Sequence, residues 1–169
     1  MTWIAAFDLG VNNFAFIIVD VTNILKPSIM LWENINVNDT NWFNVLQNVN
    51  TVLFEHASLF ALCKVCLVEK QMTRLNMKAS KLSYHVMSFF NIIWPYIKVI
   101  EYSAAHKTHT FTSQKMDKKA RKKYCIDKTL DDFIKLNDYK SLGLMMSCKK
   151  MDDLADVYQM VQTYLIRWG

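Results

Sequence analysis

Two short apolar runs, Thr2 to Asp8 and Phe14 to Val21, are separated by the turn-like Gly10-Val11-Asn12-Asn13. Both are rich in Ile, Val and Phe, which suit a pleated backbone, and their close spacing predicts a β-hairpin. A hairpin so early commits the rest of the chain to covering a sheet. A third strand is expected around Ile29 to Glu33. From Asn41 to Leu62, apolar residues recur at Val45, Val49, Val52, Leu53 and Phe60, close to the helical period, with Asn41 or Thr40 as N-cap. Val65 to Glu69 is a β-branched run ending on a carboxylate, and Leu82, Val86, Phe89, Phe90 and Ile93 then keep helical spacing up to Pro95. Val99 to Tyr102 reads as a fifth strand and Lys115 to about Leu136 as a basic helix. Lys149 to Ile166 reads as a last helix with Met151, Leu154, Tyr158, Val161 and Leu165 on its apolar face. Strands followed by alternating helices and strands call for an α/β protein: a mixed five-stranded sheet flanked by helices on both faces.

Composition narrows the class further. With 169 residues, 52% of them hydrophobic, the chain can bury a sizeable core, and one domain over residues 1–169 is expected. Three glycines and two prolines provide no flexible or Pro-rich linker. No apolar run approaches the roughly 18 residues of a membrane span, and the N-terminus starts on a strand pattern instead of a cleavable signal. Four cysteines beside ten methionines then fit a reducing, intracellular setting. The net charge of +5 points to an anionic partner. Its distribution is uneven: Lys70, Arg74, Lys78, Lys81 and Lys98 fall between Glu69 and Glu101 with no acid among them. Lys115, Lys118, Lys119, Arg121, Lys122, Lys123 and Lys128 come next, against Asp117 and Asp127.

Asp8 and Glu69 each close a predicted core strand, at the C-terminal ends where such sheets present ligand groups. Singly, Asp8 could be a turn residue before Gly10, and Glu69 an ordinary strand terminus. Two strands ending on acids are less expected, because a half-buried carboxylate needs a cation or hydrogen-bond donors. On the last helix, Asp153 and Asp156 lie three residues apart and so share one side, with Asp152 four from Asp156. Acids in a first helical turn also meet the macrodipole or cap free N–H groups, so these three have a purely structural account too. Converging carboxylates are what phosphodiester hydrolysis asks for: a pair of Mg²⁺ ions takes hard oxygen ligands, activates water and stabilises the leaving oxyanion.

The run Ile4-Ala5-Ala6-Phe7-Asp8-Leu9-Gly10-Val11-Asn12-Asn13-Phe14-Ala15 resembles the first-strand motif of the RuvC-like Holliday junction resolvases. Val65 to Glu69 with Lys70-Gln71 is similar to their second acidic strand, and Asp153-Leu154-Ala155-Asp156 to their terminal D-x-x-D helix. The three motifs occur in the family order and span nearly the whole chain. The size, the Glu69-Lys70-Gln71 context and the string Lys149-Lys150-Met151-Asp152-Asp153-Leu154-Ala155-Asp156 most resemble the poxvirus members. The resemblance implies an RNase H-like fold, a homodimer, Mg²⁺ dependence with Mn²⁺ able to substitute, and symmetric nicking of four-way DNA junctions during viral replication, recombination and repair in the host cytoplasm. It also implies Asp8, Glu69, Asp153 and Asp156 as metal ligands, leaving Asp152 as a supporting or capping group. The family carries a functional lysine after the fifth strand. Here Lys107 and the pair Lys118-Lys119 both qualify, with Lys118 or Lys119 favoured.

If a helix begins directly after Glu69, Lys70, Arg74, Lys78 and Lys81 form one basic stripe, and with Lys115, Lys122 and Lys123 they are candidates for contacts to DNA phosphates. A solvated helix face is the plainer account of such lysines. Cys63 and Cys66 form C-x-x-C without a second pair, and as strand residues they could point to opposite faces, so structural cysteines are expected. His106 and His109 flank a loop and could shuttle protons or be simply polar; Trp42, Phe89, Phe90 and Trp94 are expected in the core. An actin-like or sugar-kinase-like ATPase also opens with strand and D-x-G, yet it needs a second such loop, which this chain lacks. A nuclease for RNA–DNA hybrids and a non-catalytic nucleic-acid-binding module remain as alternatives.

Overall fold

Residues 2–71, 76–113 and 116–168 are described by a computed structural model of the chain. The expected hairpin consists of β1 (Trp3–Leu9) and β2 (Phe14–Asp20), paired antiparallel from Trp3 opposite Asp20 to Leu9 opposite Phe14. Gly10 and Asn13 close it with reciprocal backbone hydrogen bonds of 3.1 and 3.2 Å, and a Cβ on Gly10 would come within 3.3 Å of the Asn13 carbonyl oxygen. β3 (Ser28–Ile35) pairs antiparallel with β2, while β4 (Cys63–Glu69) and β5 (Lys98–Tyr102) add in parallel on the β1 side. The result is a mixed five-stranded sheet of order β3-β2-β1-β4-β5.

Strand alternation divides the interior into two cores. Trp3, Ala5, Phe7 and Leu9 of β1, with Phe14, Phe16 and Ile18 of β2, face α1 (Trp42–Glu55), α2 (Ala57–Phe60) and α3 (Met77–Ile93). Ile4 and Ala6, with Ala15, Ile17 and Val19, face the opposite way, toward α5 (Lys118–Leu136), α6 (Tyr139–Ser147) and α7 (Met151–Trp168). Both faces are thus covered, as expected. Phe89, Phe90 and Trp94 are buried in the first core, and Trp42 packs against its edge. Among the described residues no helix is long and apolar enough to cross a membrane.

Several elements differ from the sequence reading. The helix expected from Asn41 to Leu62 ends at Glu55, and α2 comes after it as a separate turn. His56 leaves helical geometry there; its Nε2 lies 3.3 Å from Glu33 and its ring packs on Phe16. Asn41 is the N-cap, accepting from the Phe43 N–H. Two helices have no counterpart in the sequence reading, the single-turn α4 (His106–His109) and α6. The first is too short for any period to show, and the second begins just after Asn137, whose left-handed backbone (φ 55°) ends α5.

The C-x-x-C pair is also differently placed. A register shift opposite Trp3 and Ile4 inserts Lys64 as an extra residue in β4, so Cys63 and Cys66 enter the same core and not opposite faces. Both are free thiols, and burial pushes Cys63 up to about 12 and Cys66 up as well. That suits packing and opposes the thiolate needed for metal or redox chemistry.

Candidate active site

The sheet register assembles the site. Asp8 lies opposite Ala15, and Ala15 lies opposite Asn34, so three neighbouring strands contribute to one row. On the other side of β1, Phe7 is matched with Val68, which sets Asp8 beside Glu69 one residue further on. Glu69 in turn lies opposite Tyr102. Because Asp8 follows Ile4 and Ala6 at period two, and Glu69 follows Val65 and Leu67, both carboxylates emerge on the face covered by α7. Helix α7 is seated there by Leu154, Ala155, Val157, Tyr158 and Val161, and the Trp32 indole N–H donates to the Leu154 carbonyl at 3.1 Å. Its first turns bring Asp153 and Asp156 to the same cleft as Asp8 and Glu69, a space of about 570 Å³.

Lys107 enters this cluster from α4. Its Nζ is 2.6 Å from Glu69 Oε1 and 3.2 Å from Asp156 Oδ2, and only 5% of the residue is exposed. Burial by itself would lower the lysine pKa, but the charges of Glu69, Asp156 and Asp8 more than reverse this, so the ammonium is held. Burial pushes the Asp8 carboxyl well up, and the neighbouring Glu69 charge adds to the rise; Lys107 offsets only part of it. Glu69 also feels desolvation, yet the Lys107 charge and hydrogen bonds from Asp8, Lys107 and Gln71 carry it below its ordinary value. The Gln71 amide donates to Glu69 Oε2 at 3.2 Å. The lysine that reaches the acids is therefore Lys107, the candidate named beside the favoured Lys118 or Lys119. Lys118 lines the outer cleft, whereas Lys119 is exposed and does not line it.

Asp153 accepts a hydrogen bond of 3.2 Å from the Asn34 amide. Burial and the adjacent Asp152 raise its pKa; the Asn34 bond and Lys122 pull the other way. Asp152 itself pairs with Lys122 and does not line the cleft. Desolvation opposes its ionisation, but the Lys122 hydrogen bond and charge outweigh that and lower its pKa. The Cys125 thiol lies against Asp156 at the cleft floor, its pKa pushed up to about 12 mainly by burial.

The continuous basic stripe is overturned. Helix α3 begins at Met77, after Asn76 caps it by accepting from the Ala79 N–H, so Lys70 belongs to no helix. Its backbone N–H instead extends the sheet ladder to the Tyr102 carbonyl at 2.8 Å, and its ammonium meets Glu101 at 3.2 Å. Lys78 and Lys81 share α3, where Lys81 sits over the Trp42 ring at 5.5 Å. Arg74 and Lys115 lie outside the described residues. Among the described residues the basic wall of the cleft comes from Lys118, Arg121 and Lys122 of α5 together with Lys70, and Lys123 is exposed and does not line it. Asn34 is named nowhere in the sequence reading, and Arg121 and Gln71 appear there only within the basic run and the Glu69-Lys70-Gln71 context. His106 packs edge-on against Tyr102 and at a tilt against Trp168, and it does not line the cleft.

The donor set suits a hard cation: four carboxylates share the cleft, with no histidine on its lining. Among the described residues no three acidic, histidine or cysteine groups are already drawn into a coordination sphere, and the Lys107 ammonium sits between two of the acids.

A mixed sheet of order β3-β2-β1-β4-β5, with acids at the ends of β1 and β4 and a facing acidic helix, is an RNase H-like fold. The chain belongs to the family described as Poxvirus A22 protein, whose model matches residues 2–168. The Fowlpox virus resolvase, solved in complex with substrate Holliday junction DNA, is similar with a TM-score of 0.74 and 22% identity, covering 98% of this chain and 97% of that one. RuvC of Thermus thermophilus with a Holliday junction substrate is similar at a TM-score of 0.64 and 11% identity, over 99% and 97% of the two chains. Uncharacterized protein 97L of Invertebrate iridescent virus 3 is 26% identical, covering 95% of this chain and 98% of its own length.

Proposed function

We propose that this chain is a Holliday junction resolvase, an endonuclease that nicks four-way DNA symmetrically by metal-assisted phosphodiester hydrolysis. The observation that carries the reading is the convergence of Asp8, Glu69, Asp153, Asp156 and Lys107 on one cleft with a basic wall. In this reading Asp8, Glu69, Asp153 and Asp156 hold a pair of Mg²⁺ ions, and Mn²⁺ substitutes. Bound there, such ions activate water and neutralise the charge that develops on the scissile phosphate. Asp8 and Glu69 are fixed by the strands beneath them and Asp153 and Asp156 by α7, so little reorganisation is needed as charge builds. Lys107 supplies a positive charge beside the same acids, and Lys118, Arg121 and Lys122 bind backbone phosphates at the entrance, giving affinity without sequence information. Asp152 steadies Lys122 from behind. Paired nicks across a symmetric junction call for two such domains, which we infer to act as a homodimer. The poxvirus family points to the host cytoplasm, where viral genomes recombine and replicate, as the place of action.

A panel of synthetic four-way junction, flap, RNA–DNA hybrid and plain duplex tests the assignment. Paired symmetric nicks confined to the junction in Mg²⁺ are expected. Equal cutting of all four substrates removes the resolvase reading, and junction binding without cutting in any divalent metal favours a binding module.

Asn34 belongs to the same machinery as a positioning residue, since its amide orients the Asp153 carboxylate. Asn34→Ala is expected to weaken Mg²⁺ binding by about 10-fold, the low end of what groups behind metal ligands contribute. Calorimetric titration in the absence of DNA measures it, and an unchanged affinity means the Asn34 bond does not tune the site.

A further inference from the structure

The carboxylate cluster already holds a cation of its own. A lysine buried to this degree is stable only when its charge is matched, and Lys107 is matched twice, by Glu69 Oε1 at 2.6 Å and Asp156 Oδ2 at 3.2 Å. Those oxygens belong to two of the four acids that the proposed function gives to the metal. They also come from different layers, Glu69 from the sheet and Asp156 from α7, so the ammonium ties the helix to the strand it faces.

We propose that Lys107 is a resident counter-ion that competes with the divalent metal for Glu69 and Asp156, and that metal loading displaces its ammonium into the cleft toward the substrate phosphate. This deepens the proposed function and rests on it. The geometry allows the exchange. The lysine side chain is long and flexible, it is borne on the four-residue α4, and it already lines the same 570 Å³ space that Lys118, Arg121 and Lys122 border. An ammonium lifted from the acids therefore has open cleft ahead of it. Removing it without replacement would leave Glu69 and Asp156 facing each other and Asp8 with no cation between them, so the metal-free protein should be held together partly by this one side chain. A single residue would thus serve the empty site as a stabiliser and the loaded site as a phosphate-facing charge.

The test compares wild type with Lys107→Met, whose side chain has similar length and no charge. In EDTA the variant is expected to melt below wild type, and Mg²⁺ should raise its melting temperature by a larger increment. Calorimetric titration with Mg²⁺ alone should show binding about ten-fold tighter, the factor that about 1.4 kcal/mol of lost competition produces. Unchanged or weaker Mg²⁺ binding by the folded variant overturns the competition while leaving the nuclease reading intact. No Mg²⁺ binding by either protein overturns both. A measurement on wild type alone covers a variant that does not fold: acetylation of Lys107, monitored by mass spectrometry, should accelerate several-fold when Mg²⁺ replaces EDTA. An unchanged rate overturns the displacement.

Discussion

Asp8→Asn is expected to abolish junction cleavage while leaving junction binding and folding intact. The substitution keeps the shape of a side chain set between Ala15 and the Glu69 strand but removes one of the charges that would hold metal. A loss of at least about 10²-fold in cleavage rate is expected, the scale of removing one preorganised electrostatic group. Stability should move the other way. Burial, then the Glu69 charge, raises the Asp8 pKa in the folded state above its unfolded value. The folded protein consequently holds a proton that the unfolded chain releases, so wild type loses stability as pH rises from the unfolded to the folded pKa. Asparagine escapes that loss. In EDTA, the variant should match wild type at low pH, then exceed it increasingly through this window and by a constant amount above it. Urea melts across pH, set beside single-turnover cleavage, check both arms. A variant that cuts as fast as wild type removes Asp8 from the metal site.

Phe7→Ala is expected to have the largest effect on stability of any single truncation near the site. Phe7 is fully buried, with the rings of Phe16, Phe60 and Phe90 each centred 5.6 Å away and that of Phe14 at 5.9 Å. Cutting such a side chain back to Ala costs about 3–5 kcal/mol through lost burial and the cavity left behind. That is a large part of the 5–15 kcal/mol on the order of which a domain is stable. Phe7→Leu, which refills most of the volume, should cost clearly less. Urea denaturation measures both. A cost of under about 1 kcal/mol for the alanine variant would show that the ring cluster collapses around the gap. The site would feel the loss as well, because Phe7 anchors in one core the strand whose next residue, Asp8, faces the opposite way.

The acids closing β1 and β4 could be read from the sequence because strand runs announce their own ends, and a carboxylate at such an end is conspicuous. The acidic helix was visible for a similar reason, its apolar face being strongly periodic. What escaped depends on relations between segments. Asn34 owes its position to register across β2, and nothing in the residues around it signals that it lies in line with Asp8. Lys107 rides on four residues, too few to display a period, while the longer and more basic α5 drew attention to Lys118 and Lys119. The stripe from Lys70 to Lys81 failed at one boundary. Periodicity placed a helix there, but Asn76 decides where it starts, and Lys70 continues the sheet. The shared face of Cys63 and Cys66 depends on the extra residue at Lys64, which alternation alone cannot reveal.

Helix α7 has a consequence for how such a protein is made. It covers one face of the sheet and also carries Asp153 and Asp156, so the site is incomplete until residues 151–168 have been synthesised and docked. A nascent chain still lacking them can form the hairpin, align Asp8 beside Glu69 and close the first core, yet it presents only half of the four acids. Asp153 and Asp156 would then arrive together with the helix that covers the second core. A product cut short before Met151 would leave the second core uncovered and bring only Asp8 and Glu69 of the four acids to the cleft.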